Sequence, residues 1–252
     1  MLKVRIIPSI LFKDGIAVKS CQFGEYRNVG SYLNAVRVYN SGNVDELVFL
    51  DIAATGENRS IPSYVVSEIS EECRTPLTIG GGIGNIDEMK KLFAASADKI
   101  SINTFALKNP EFVVDAVEHF GSANIVVSID AKKSGSVHKV FSNGGKVNSG
   151  KNVVDWARKA EELGAGEIFL TSIDCDGVME GFDIPLIKSV VDSVNVPVIA
   201  AGGAGLPKHF VEAYLKAGPS GLSAASIFHF TQYTPRDVKE AMESAGIPIR
   251  LN

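Results

Sequence analysis

Short apolar runs alternate with amphipathic stretches from one end of the chain to the other. The runs at 4–10, 46–51, 77–80, 99–102, 125–130, 167–171, 196–200 and 221–225 are rich in valine, isoleucine and leucine, and turn-forming residues follow several of them. That pattern predicts strands buried on both faces. Between the runs, VVDWARKAEELG at 153–164 and NIDEMKKLFAAS at 85–96 place apolar residues three and four apart, which predicts helices with one buried stripe. Strand followed by helix, eight times over, predicts parallel βα units. For a chain of about 250 residues the closed (β/α)8 TIM barrel is the leading α/β architecture, as one domain over 1–252. An open doubly wound sheet is the competing one.

One segment breaks the rhythm. AKKSGSVHKVFSNGGKVNSG follows Asp130, and its Asn143-Gly144 pair predicts a small β-hairpin on the loop after strand five. The chain also repeats itself. FLDIAAT at 49–55 resembles FLTSIDC at 169–175, PLTIGGGI at 76–83 resembles PVIAAGGAG at 197–205, and KISINTFAL at 99–107 resembles GLSAASIF at 221–228. The offset is about half the chain, as two half-barrels of four βα units would produce.

Composition narrows the partners. The chain is 45% hydrophobic and 21% charged, with a net charge of −4 and no long run of one sign. Nothing there supports nucleic-acid or membrane-surface binding, and no apolar stretch approaches a membrane span. The start, MLKVRIIPSIL, reads as a first strand rather than a signal peptide. Cys21, Cys73 and Cys175 are odd in number and far apart, which fits a reducing cytoplasm. His119, His138, His209 and His229 lack ligand spacing, so no metal and no cofactor are expected.

In barrels of this kind the chemistry sits at the C-terminal ends of the strands. Gly80-Gly81-Gly82 follows strand three and Gly202-Gly203-Ala204-Gly205 follows strand seven; Asn103-Thr104 end strand four and Ala225-Ser226 end strand eight. Small residues there let backbone N–H groups approach an anion. Matched pairs of glycine loop and hydroxyl turn predict two phosphate sites and a substrate with a phosphate at each end; tight turns alone would also account for the glycines. Asp176-Gly177 shapes the loop near the second site. Asp130 ends strand five, where a carboxylate can act as general acid or base. Asp51 and Asp174 also stand at strand ends. The repeat places Asp130 over Leu11, and alternation puts Arg5, Ile7, Ser9 and Leu11 on one face of strand one. One wall therefore carries a carboxylate and the opposite wall a leucine. Arg5, Glu46, Lys99 and Glu167 sit at strand starts with inward parity, which predicts a neutral ring of charges across the barrel floor. Such a ring is either a structural ion-pair layer or a gate for a small molecule entering from below.

The ordered motifs RIIP, KDG, DELVFLDI, LTIGGGI, ADKISINT, SIDAKK, GAGEIFLTSIDCDG, PVIAAGGAG and AASIFHF together resemble the cyclase subunit of imidazole glycerol phosphate synthase, from histidine biosynthesis, essentially end to end. The resemblance implies a (β/α)8 barrel paired with a glutaminase subunit, with ammonia passing through the barrel to a bis-phosphorylated substrate. It implies phosphate contacts around Gly82, Asn103 and Thr104 on one side, and Asp176, Gly177, Gly203, Ala204, Ala225 and Ser226 on the other. Lys19 matches a loop-one lysine tied to substrate closure. Arg5, Glu46, Lys99 and Glu167 match an ammonia gate, and Asp130 matches one of two catalytic aspartates. Leu11 occupies the position of the other. Ile16 and Cys175 stand where the family usually has arginine. The chain resembles most a group of paralogues with an apolar residue at that position, which act with a glutaminase and a sugar amidotransferase to deliver ammonia for amidination of a bacterial surface sugar. The alternative is an authentic cyclase that forms imidazole glycerol phosphate and AICAR. Asp14 and Asp51 are the candidates to replace the missing acid.

Overall fold

A computed structural model describes residues 3–251; Met1, Leu2 and Asn252 of the domain expected over 1–252 lie outside the described residues. The eight barrel strands are β1 (Arg5–Lys13), β2 (Leu47–Asp51), β3 (Leu77–Gly80), β4 (Lys99–Ile102), β5 (Ile125–Ser134), β6 (Glu167–Ser172), β7 (Val198–Ala201) and β8 (Gly221–Ala224). Each pairs in parallel with the next, and β8 pairs with β1, so the sheet closes on itself. The open doubly wound sheet is thereby excluded. Closure explains why EIFLTS, VIAA and GLSA are buried at every position: one face meets the barrel interior and the other meets helices.

The helices start where polar caps put them. Asn85, Asn152 and Asp183 each accept a backbone N–H from the first turn of the helix they precede, and Thr234 forms a reciprocal capping box with Asp237, each meeting donors the helix cannot satisfy itself. The stretches expected as helices at 85–96 and 153–164 are helical over Ile86–Ala94 and Val153–Glu162. The large core lies between strands and helices. A second, small cluster of Ile7, Val48, Val126, Phe169, Ile199 and Ala201, with Leu50 against it, fills the barrel interior.

Two departures from the expected strands shape the mouth. Strand β1 runs three residues further than expected and pairs antiparallel with Ile16–Ser20, which in turn pairs with Tyr26–Gly30. The turn between them uses Asp14 and Gly15 at positive φ. Strand β5 also continues past Asp130 and pairs antiparallel with Val137–Ser142, which pairs with Val147–Asn152. Both extensions rise above the barrel on the side where the strands end. No helix among the described residues is long and apolar enough to cross a membrane.

Candidate active site at the barrel mouth

A cavity of about 480 Å³ opens at the C-terminal ends of the strands. Its lining includes Leu11, Lys19, Gly82, Asn103, Thr104 and Asp130, and also Asp176, Gly177, Gly203, Ala204, Ala225 and Ser226. These residues therefore face one space, whereas Gly205 and Asp174, also expected at the strand ends, are not part of its lining. Two glycines are dictated by geometry. Gly82 has φ +65°, and a Cβ there would lie 1.9 Å from the Arg59 carbonyl oxygen; Gly203 has φ +115°, and its Cβ would lie 2.0 Å from that of Gly181. Both permit a loop to pass against the strand end, and no L side chain fits either place.

Asp130 has no cationic partner at hydrogen-bond distance; Asn103 Nδ2 donates to it at 2.8 Å. Enclosure by the barrel walls pushes its pKa from 3.8 to about 7, the Asp176 charge adds to the rise, and the Asn103 bond opposes it. An acid with that value can hold or release a proton near neutral pH. Asp176 is held in an ion pair: Lys19 Nζ, itself buried, donates to both its oxygens at 2.9 and 2.7 Å. Burial raises the Asp176 pKa, and the lysine only partly offsets it. Thr104 Oγ1 accepts the backbone N–H of Asn143, which brings the tip of the strand-five extension onto the mouth. Buried Ser20 Oγ, Asn103 Oδ1, Ser223 Oγ and Ser226 Oγ meet no protein partner. Orphaned polar atoms cost stability, and four of them around one cavity suit a polar ligand.

Leu11 sits on β1, four strands from Asp130 in either direction round the ring, and pairs with Leu50 of β2. Neither proposed substitute reaches its place as a free acid. Asp51 is bound by Arg59 Nη1 at 2.5 Å and accepts the N–H groups of Ala53 and Ala54. Asp14 is exposed in the turn beyond the strand. Asp174 accepts from Lys133 N and is absent from the cavity lining. Arg59 was not anticipated: it lies in the loop after β2, where neither strand nor helix periodicity marks it, and it brings a guanidinium to the cavity edge beside Gly82. Among the described residues no group of three or more His, Cys, Asp or Glu is placed to hold a metal.

The floor carries the other cluster. Arg5 bonds Glu46 at 2.8 Å and also bonds Glu167, while Lys99 bonds both carboxylates at 3.0 Å. Thr78 Oγ1 donates to Glu46 at 2.6 Å. The four charges thus form a closed ring, with the apolar cluster around Ile7, Val48 and Val126 between it and the mouth.

Fold and site together define a (β/α)8 barrel with a glycine-lined polar mouth, a carboxylate of raised pKa there and an ion-paired floor. A family model described as "Histidine biosynthesis protein" matches residues 5–234, and the chain belongs to that family. Among its relatives is "Imidazole glycerol phosphate synthase subunit HisF" of Thermococcus onnurineus, 48% identical over the full length of both chains. The protein of the same name from Pyrococcus furiosus is 47% identical over the full length of both. That of Caulobacter vibrioides is 45% identical, covering all of this chain and 98% of its own.

Proposed function

We propose that the chain is the cyclase subunit of an imidazole glycerol phosphate synthase. In this reading a glutaminase docks at the floor, and ammonia passes the Arg5–Glu46–Lys99–Glu167 ring. At the mouth it reacts with a bis-phosphorylated formimino-ribulosyl precursor, giving imidazole glycerol phosphate and AICAR. One phosphate lies by Gly82, Asn103 and Thr104, with Arg59 at hand; the other lies by Gly177, Gly203, Ala204, Ala225 and Ser226, where Lys19 can leave Asp176 for an incoming anion. The observation that carries the reading is Asp130, the mouth acid pushed to about 7, in a chain whose full-length relatives bear the synthase-subunit name. Those names move the weight away from the surface-sugar paralogue that the sequence alone favoured.

A second reading rests on Leu11. Leucine cannot transfer a proton, and neither Asp51 nor Asp14 stands in for it. A barrel with one acid can still conduct ammonia, and its acceptor would then be the substrate of a separate sugar amidotransferase. The deciding experiment supplies the purified chain with the bis-phosphorylated precursor and excess ammonium salt at mildly alkaline pH, without a glutaminase. Turnover of roughly 1 s⁻¹ or more is the expected result for the cyclase. Absence of turnover in a folded chain that stimulates its glutaminase would establish the second reading instead.

Two variants sharpen the choice. Leu11→Asp places a carboxylate opposite Asp130 and beside Leu50. It is expected to lower thermal stability, since a charge is placed in a half-buried, largely apolar position without a partner, and to raise ammonium-driven turnover about 10-fold or more if the absent acid limits ring closure. Unchanged turnover would show that position 11 does not limit the reaction. Gly82→Ala forces a Cβ onto the Arg59 carbonyl, with an expected loss of roughly 1–3 kcal/mol. Inorganic phosphate should raise the melting temperature of the parent and raise that of Gly82→Ala much less. Equal shifts in both would remove this loop from the phosphate site.

A further inference from the structure

Two residues below Asp130 and Leu11 on their own strands stand Ser128 and Ser9, and neighbouring strands bring Ser101 and Ser223 to the same layer. All four line the bottom of the mouth cavity. The registers of the two pairs are equivalent. Strand β4 sets Ser101 against Val126, two residues before Ser128, and β8 sets Ser223 against Ile7, two residues before Ser9. The outcomes differ. Ser101 and Ser128 bond to each other at 2.6 Å. Ser223 is fully buried and its Oγ has no protein partner.

The open hydroxyl lies in apolar company. Ile7 and Val126 lie two residues below Ser9 and Ser128 on their own strands, Val48 pairs with Ser9 and Phe169 with Ser128, all within the small apolar cluster inside the barrel, while Leu11, with Leu50 paired to it, stands above Ser9. A buried hydroxyl left without a partner is costly, and the space beside it belongs to the cavity.

We propose that Ser9 and Ser223 seat one small, neutral hydrogen-bonding molecule beneath Leu11, and that ammonia is its working occupant. The proposal rests on the ammonia-using reading above and adds a holding site between floor and mouth. Ammonia offers three donors and one lone pair; a serine hydroxyl can donate to that lone pair and accept from one N–H. Ammonium has no lone pair and carries a charge, which apolar walls disfavour. A carboxylate at position 11 would favour the cation in this place. Leucine leaves the neutral, nucleophilic form favoured, so its presence and the open Ser223 hydroxyl serve the same end.

The test is a residue-resolved NMR titration of the whole chain with ammonium chloride in mildly alkaline buffer, with tetramethylammonium chloride as the control salt. Saturable shifts are expected at the amides of Ser9, Ser223 and their strand neighbours. Ser223→Ala should weaken the titration about two- to tenfold, the worth of one hydrogen bond, and Ser9→Ala combined with Ser223→Ala should abolish saturation. Ser101→Ala, which breaks only the opposite pair, should titrate like the parent. Shifts linear in concentration, or a double variant that saturates normally, would overturn the seat. Equal saturation in mildly acidic buffer at the same total ammonium would show a cation site and overturn it as well. A chain that saturates but gives no ammonium-driven turnover keeps the seat and loses the cyclase; one that turns over without saturating does the reverse.

Discussion

Asp130→Asn is expected to lower ammonium-driven turnover by about 10²–10⁴-fold, the usual cost of removing a positioned acid–base group, without unfolding the barrel. Asparagine is isosteric and can still accept from Asn103 Nδ2, which now donates to Oδ2 at 2.8 Å. What it cannot do is exchange a proton. The parent's kcat/KM should therefore rise with pH through about 7 if Asp130 acts as base, following its displaced pKa, and fall through the same region if it acts as acid. The variant should lose that limb. A limb that persists in Asp130→Asn would assign the proton transfer to another group.

Stability should move the other way. The folded state holds the Asp130 proton up to about pH 7, whereas the unfolded chain releases it near 3.8. Between those values the folded state binds more protons, so this group's contribution to stability falls as pH rises from about 4 to about 7. Asparagine has no charge to bury. At neutral pH and above, Asp130→Asn is expected to be as stable as the parent or more so, by on the order of 1 kcal/mol, and this advantage should vanish in acid. Melting curves across the pH range check it. A variant less stable than its parent at neutral pH would mean that the carboxylate is held by more than Asn103.

Much of this site was legible in the sequence because barrel strands obey a period of two. Counting back from Asn103 to Lys99 and from Thr171 to Glu167 puts each lower residue on the inward face, and the structure joins those charges with Arg5 and Glu46 in a ring. The glycine loops were legible because only glycine tolerates the positive φ and close backbone approach at Gly82 and Gly203. The strands above the mouth were not. In Tyr26–Gly30 four of five residues are exposed, so no buried face imprints alternation on the sequence; pairing with Ile16–Ser20, which itself pairs with the overhanging end of β1, makes it a strand. Arg59 escaped for a related reason. Its partner Asp51 is eight residues away across an irregular loop, a spacing no periodic element marks. The open hydroxyl of Ser223 was equally silent, since Ser101 has the equivalent register and a partner.

Glu167→Ala is expected to be the most damaging single change at the floor. Each cation of the ring touches both carboxylates, so removing Glu167 leaves Arg5 and Lys99 sharing Glu46 with an unbalanced positive charge. Breaking a buried pair from one side costs ~3–5 kcal/mol. Here Arg5 and Lys99 keep 25% and 19% of their side chains exposed, so water relieves part of the charge and about 2–4 kcal/mol is expected. If the ring admits ammonia, glutamine-dependent turnover with the glutaminase should fall about 10-fold or more relative to turnover on added ammonium, with ammonia lost to bulk solvent. Instability alone would lower both rates together. The double change Lys99→Met with Glu167→Leu separates the two roles further, because it restores neutrality with apolar side chains that pack beside the interior cluster. Replacing a buried ion pair by well-packed apolar residues is often neutral or stabilising, so this variant should melt near the parent. A purely structural ring predicts that coupling returns with stability; a gate predicts a stable barrel that still wastes the ammonia its partner makes.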